Sequence, residues 1–171
     1  MTAQQNRPIV SSRHLAEGEG RASSEYEFGL IVAYNAFTRW IQRCMAAAGF
    51  PELSATEILV LHNTNHRDRK KRLTDIAFLL NIEDTHTITY ALRKLVKLEL
   101  LTTEKRGKEV FYATSEAGQK ACAAYRDIRN QCLVDGLNHT GLSDDDLAEM
   151  AKVLRLLSGH YDQASRSASS L

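Results

Sequence analysis

DTHTITYALRKLVKLELLTTEKRGKEVFYAT, residues 84–114, changes its period part-way, and that change decides the fold. In its first half the apolar side chains return at three- and four-residue steps, as on a helix. From Leu101 onward, short runs rich in Thr, Val, Phe and Tyr flank Arg106-Gly107, as in a β-hairpin. On a wheel of about 100° per residue, Ile88, Ala91, Leu92 and Leu95 gather on one side and predict a core face. His86, Tyr90, Arg93 and Lys97 fall opposite, with Thr87 and Thr89 at the flanks.

Upstream, two helix starts are signalled by their caps. In LSATEI (53–58), Ser54 and Glu57 have the spacing of a capping box, and Leu53 can staple onto Ile58. In LTDIAFLL (73–80), Thr74 is the predicted cap and Leu73 can staple onto Phe78. Between them NTNHRDRKKR (63–72) is polar and charged and predicts a turn, while NIEDT (81–85) turns into the stretch quoted above, with Asp84 as N-cap. Two helices joined by a charged turn, a third helix over about 84–98 and a hairpin wing over about 101–114 make a winged helix-turn-helix.

Long helices flank this lobe. From Ser24 to Gly49, Leu30, Tyr34, Phe37, Ile41, Cys44 and Ala48 form a stripe that Ile31, Val32, Trp40 and Met45 widen, so the helix is central or shared with a partner chain. After Ser115, Ala117, Ala121, Ala124, Ile128 and Cys132 share a face. A last helix begins at Ser143 and carries Leu147, Met150, Ala151, Leu154, Leu157 and Tyr161 on one stripe. Residues 1–23 read as a flexible arm, 24–165 as one winged-helix domain and 166–171 as a frayed tail. The predicted fold class is thus mainly α with a small β-hairpin wing.

Composition restricts the function classes. The chain has 171 residues, 43% hydrophobic and 25% charged, which suits a globular protein with one core. No apolar run approaches the roughly 18 residues of a membrane span, and MTAQQNRPIV has no basic segment followed by an apolar one, so neither a membrane nor a secretory route is expected. Three cysteines without metal-type spacing favour reduced thiols in a cytoplasm; Cys44 and Cys132 read as small buried hydrophobes, and Cys122 is open. His62 and His66 are one turn apart, but no third ligand is evident, so no metal is expected. No glycine-rich phosphate loop or nucleophile elbow occurs, so neither an enzyme nor a cofactor is expected.

Charge points to a partner. The net charge is only +1, yet residues 67–108 hold eleven Lys or Arg against six acids, leaving +5 there and −4 elsewhere. That is the footprint of a polyanion-binding surface, although such imbalances are common and charge alone fits a merely solvated face. The quoted helix adds a second signal. Small residues at its start let it enter a major groove, hydroxyls can bond phosphates or bases, and arginine can take guanine bidentately. Thr85, His86, Thr87, Thr89, Tyr90, Arg93 and Lys97 are the candidate DNA-reading residues. Lys105, Arg106 and Lys108 are candidates on the wing, and Arg69, Lys70, Lys71 and Arg72 could clamp the backbone from the turn. A winged helix that binds protein and not DNA is the alternative.

The span from about Ser54 to Lys120 resembles the winged helix of the MarR family of bacterial transcription regulators. LSATEILVL resembles that family's second-helix entry, RLTDIAFLLNIEDTHTITYALRKLVKLELL its helix-turn-helix, and TSEAGQKA its exit from the wing. The resemblance implies a homodimeric transcription regulator, with 24–49 and 116–165 as dimerisation helices and 54–115 as the DNA-binding lobe. Two recognition helices would then read a roughly palindromic site. It also implies an effector pocket for a small aromatic ligand, with Tyr34, Phe37, Trp40 and His62 as candidate lining; the same four serve equally well as core. Three positions depart from the family's pattern: Glu99 stands where glycine is usual, EKRGKEV lacks the usual Asp-x-Arg, and Thr114-Ser115 replaces a Leu-Thr pair.

Overall fold

A computed structural model describes residues 21–137 and 139–171. The predicted arm lies outside the described residues up to residue 20. The chain divides into two compact units, the first ending at Tyr125 and the second running Arg126–Leu171.

The first unit opens with α1, Arg21–Ala47. Only its last turns are buried, with Ile41 and Cys44 at 2% and Met45 at 0% exposure. Tyr34, Phe37, Ile31 and Val32, on the stripe read as central or shared with a partner chain, are exposed. Only the end of α1 has α2, Ala55–Asn65, to pack on. The start of α2 is as its sequence predicts. Ser54 Oγ accepts from Glu57 N at 3.4 Å, the Glu57 carboxylate accepts from Ser54 N at 2.7 Å, and Leu53 and Ile58 are both buried.

A short 3₁₀ turn, His66–Asp68, leads into a strand that the sequence reading lacks: β1, Lys71–Arg72. It is only two residues long and made of cations, so neither alternation nor β-propensity announces it. Its partner does: it pairs antiparallel with the wing, Lys71 opposite Tyr112 and Arg72 opposite Phe111.

Helix α3, Leu73–Leu80, follows at once, and here the cap prediction is corrected. The N-cap is Arg72, not Thr74, because the Asp75 carboxylate accepts from Arg72 N at 3.0 Å and from its guanidinium at 3.0 and 3.2 Å. The helix therefore starts where the strand stops. Phe78 is 85% exposed, so the predicted staple to Leu73 does not form.

Helix α4, Thr85–Lys97, buries Ile88, Ala91, Leu92 and Leu95, the predicted core face, against α2 and α3. Full burial of each larger side chain contributes about 2 kcal/mol. Asp84 caps the helix, accepting from His86 N at 2.9 Å. The helix ends in a turn where Leu100 N donates to Leu95 O at 2.9 Å and Glu99 sits at φ +58°. The position where the resembled family has glycine does need a left-handed residue, and glutamate adopts it at a cost.

The wing is β2, Leu101–Arg106, and β3, Glu109–Thr114, in register from Leu101 opposite Thr114 to Arg106 opposite Glu109. Gly107 makes the turn at φ +61°. The sheet order is β1-β3-β2. Helix α5, Glu116–Arg129, then crosses the root of the wing so closely that a Cβ on Gly118 would lie 2.1 Å from Leu100 O and 2.7 Å from Thr114 Cγ2. Glycine is the residue that permits this approach.

In the second unit, the end of α5 passes into a π-helical turn, Asn130–Val134, and one helical turn, α6, Asp135–Leu137. Helix α7 spans Asp144–Ala168 behind a capping box between Ser143 and Asp146. None of its side chains is buried, and Met150, Val153, Leu154 and Leu156 are exposed. Cys44 and Cys122 are buried, whereas Cys132, read from its stripe as buried, is exposed on the π turn, where no residue is buried.

Candidate nucleic-acid interface

The outer face of α4 is open. Thr85, His86, Thr87, Arg93 and Lys97 are exposed, and Tyr90 is 69% exposed. Two of the threonines are less available than their types imply. Thr87 Oγ1 donates to Asp84 Oδ2 at 2.7 Å, and Thr89 Oγ1, half-buried, donates to Thr85 O at 2.8 Å. Their protons stabilise the first turns; their methyls and oxygen lone pairs remain for a partner. The Asp84 carboxyl is held below its ordinary range, first by Thr87 and then by the His86 backbone N–H, so the cap stays ionised.

Lys94 faces the other way. Its ammonium donates to Glu52 O at 2.6 Å and to Glu57 Oε2 at 2.8 Å, tying α4 to the start of α2. Burial alone would raise the Glu57 carboxyl, but Lys94 and the Ser54 backbone more than offset it, and its pKa is lowered. The sequence reading gave Lys94 no role; its place beside the core face was the available signal.

The turn and wing cations divide into three kinds. Arg69, Lys105 and Lys108 are exposed and, like Arg93 and Lys97, make no ion pair among the described residues. Lys70, Arg72 and Arg106 are paired. Lys70 meets Glu104, Arg106 Nε meets the other oxygen of Glu104 at 2.5 Å, and Arg72 joins Asp75 to Glu109, the latter at 2.8 Å. Arg106 and then Lys70 push the Glu104 carboxyl down to about 2. Arg106 also lies over the Phe111 ring, 5.0 Å from its centre.

Lys71 requires a correction. It is 3% exposed, and its ammonium donates to the carbonyls of Asn63, His66 (2.7 Å) and Thr64 (3.4 Å). The group predicted to clamp a phosphate instead donates to the carbonyls where α2 ends, among them Asn63 O, which also accepts from the His66 backbone N–H. Its partner strand turns it inward, since Lys71 and Arg72 must face opposite sides of the sheet.

The four candidate pocket residues are dispersed. Tyr34 and Phe37 lie on the exposed flank of α1, and Trp40 is half-buried. His62, on α2, turns its ring edge-on to Tyr125, centroids 4.4 Å apart, and its Nε2 is buried without a hydrogen-bond partner. Burial lowers the pKa of this imidazole. Among the described residues, no helix is long and apolar enough to cross a membrane.

Residues 53–118 match the family model described as a winged helix DNA-binding domain. Solved structures share the fold over most of the chain. MarR of Staphylococcus aureus, in complex with salicylate and kanamycin, is 14% identical, with 90% of this chain and 99% of that one covered and a TM-score of 0.65. CouR of Rhodococcus jostii RHA1, bound to p-coumaroyl-CoA, is 15% identical, covers 79% and 92%, and scores 0.62. AbsC, a MarR family transcriptional regulator of Streptomyces coelicolor, is 15% identical, covers 86% and 98%, and scores 0.62. No curated protein sequence matches. Residues 53–118 thus match a winged helix DNA-binding domain, in a chain that shares the fold of the solved MarR-family regulators.

Proposed function

We propose that this chain is a homodimeric, sequence-specific transcription regulator of the MarR type, working in the cytoplasm without catalysis. The observation that carries the reading is the division of α4: Ile88, Leu92 and Leu95 are fully buried while His86, Tyr90, Arg93 and Lys97 stand outward. A helix so anchored can present its outer face to a major groove with little loss of side-chain order. His86, Tyr90 and Arg93 would read base edges, with the methyls of Thr85, Thr87 and Thr89 against thymine. Arg69, Lys97, Lys105 and Lys108 would hold phosphates.

Dimerisation is supported by the apolar side chains that α1 and α7 each leave in solvent. Exposed apolar surface on that scale marks an interaction face. A second copy would bring a second recognition helix about one helical turn of DNA away. Ligand control is supported by the aromatic compounds bound in two of the similar structures. A ligand would act here only by binding the DNA-competent and incompetent dimers unequally.

One observation favours a second reading, a protein-interaction module. Phe78 and Leu79 project from α3 into solvent, at 85% and 56% exposure. The deciding experiment is selection from random duplexes followed by a salt titration of fluorescence anisotropy. A regulator making six to ten phosphate contacts should lose about 10³–10⁵ in affinity between 50 and 200 mM salt. It should also select a palindrome, and Arg93→Ala should relax preference at one position per half-site. Weak binding that salt barely changes would leave the interaction module standing.

A further inference from the structure

We propose that Glu104, on the wing, is a built-in substitute for a DNA phosphate: it holds Lys70 and Arg106 back from the duplex and so limits how tightly the protein binds DNA of any sequence. This rests on the regulator reading above.

The geometry is that of one anion shared between two cations. One carboxylate oxygen takes the Lys70 ammonium, from the turn before β1, and the other takes Arg106 Nε at 2.5 Å. A phosphate would offer two oxygens to two cations in the same way. Residues 104 and 106 lie on one face of β2, two positions apart. Phe111, the direct cross-strand partner of Glu104, supplies the ring beneath the guanidinium. Arg106 is therefore laid along the wing and does not project from its tip. Across the hairpin Glu109 holds Arg72 in a parallel arrangement. None of these pairs is needed to bury a charge, since the Lys70, Glu104 and Arg106 side chains are 48%, 38% and 57% exposed. A groove of about 240 Å³ lined by Lys70, Thr102, Thr103, Glu104, Phe111 and Ala113 leaves the pair open to an incoming anion.

The consequence follows from counterion release. Phosphate contacts supply affinity by freeing cations condensed on DNA, one for each phosphate neutralised. A lysine that stays on Glu104 neutralises no phosphate. One that leaves it sets a bare carboxylate beside the duplex. Either way the two cations count for less than their number implies, and the sequence-independent share of binding falls relative to the share read by α4.

The test is Glu104→Gln in the full chain, which keeps the side chain's shape and removes its charge. Freeing two cations should steepen the slope of log K against log salt by about 2 for each wing engaged, and tighten binding to a mixed-sequence duplex by up to about sixtyfold per wing at 0.1 M salt. Glu99→Gln is the control, an exposed acid of the same lobe that holds no cation among the described residues. An equal gain from the control would overturn the proposal, as would unchanged or weaker binding by a Glu104→Gln protein of normal unfolding midpoint. If that variant fails to fold, Lys70→Gln decides: little loss of affinity supports the hold, and a several-fold loss refutes it. Elution from heparin separates this idea from the regulator reading. Later elution of Glu104→Gln with no DNA binding by either protein would sink the regulator, and with it the limit on DNA affinity, while showing that Glu104 does hold the two cations back from a polyanion. Identical elution would sink the hold whatever DNA does.

Discussion

Replacing Lys71 by methionine separates what its sequence predicts from what its surroundings dictate. On sequence it is one of four consecutive cations, a phosphate clamp. In the fold its ammonium serves the end of α2, donating to Asn63 O and to His66 O at 2.7 Å, with Thr64 O more distant at 3.4 Å. Hydrogen bonds from a charged donor contribute roughly 1.5–3 kcal/mol each, so two good ones set a gross loss of about 3–6 kcal/mol. Part of this is offset because the ammonium is costly to bury. Its pKa is lowered, first by desolvation and then by Arg69 and Arg67, and methionine fills the same space without that cost. The expected net loss is about 2–4 kcal/mol, a large share of the roughly 5–15 kcal/mol that holds a domain together. Urea unfolding measures it, and DNA affinity under native conditions is the companion measurement. The folded variant should bind DNA nearly as well as the parent. A stability change below about 0.5 kcal/mol with a several-fold loss of DNA affinity would refute the capping role and restore the clamp.

Two further perturbations test the scaffold. Glu99→Gly should stabilise the protein by about 0.5–1 kcal/mol, because φ +58° strains a residue with a Cβ by more than glycine's extra chain entropy costs. A drop in unfolding midpoint would show that the glutamate side chain contributes more than the strain. Lowering the pH from 7.5 to 5.5 should weaken the fold through His62. Its folded pKa lies below its ordinary 6.5, so the unfolded chain takes up a proton that the folded state resists, and stability falls with pH in this window. The ceiling is about 1.4 kcal/mol, reached if the folded imidazole stays neutral throughout. His62→Leu should abolish that part of the slope, and an unaltered slope would mean that another group carries it.

The fold was legible where one residue type has one local use. Ser54 and Glu57, Asp84, and Ser143 with its aspartates each mark a helix start, and each is found there. The period of Ile88, Leu92 and Leu95 specified the core face because a helix can bury only one stripe. What failed depended largely on distant partners. Arg72 became a strand residue because the distant β3 reaches it, which nothing nearby announces, whereas its cap partner Asp75 lies only three residues on and was passed over for Thr74. The stripe on α1 named exposed and buried residues alike, since period tells which side is apolar and not what covers it. For the candidate site, sequence placed the outward face of α4 and the tip of the wing, but it could not tell a spent hydroxyl or ammonium from an available one.

That distinction changes what the charge excess means. Eleven cations fall between residues 67 and 108, but Lys70, Arg72, Arg106 and Lys94 are ion-paired and Lys71 is buried on carbonyls. The six that make no ion pair among the described residues come two to a segment: Arg67 and Arg69 on the turn, Arg93 and Lys97 on α4, Lys105 and Lys108 on the wing. A net charge of +5 could have arisen anywhere on the lobe and would favour any polyanion. Two available cations on each of three segments would, on the proposed reading, hold a duplex at three places. On the same reading, Glu104 and Glu109, which hold Lys70, Arg106 and Arg72 on the wing, would be part of the recognition surface. They would remove charge where it adds only affinity and leave it where it could fix the register of α4 on the bases.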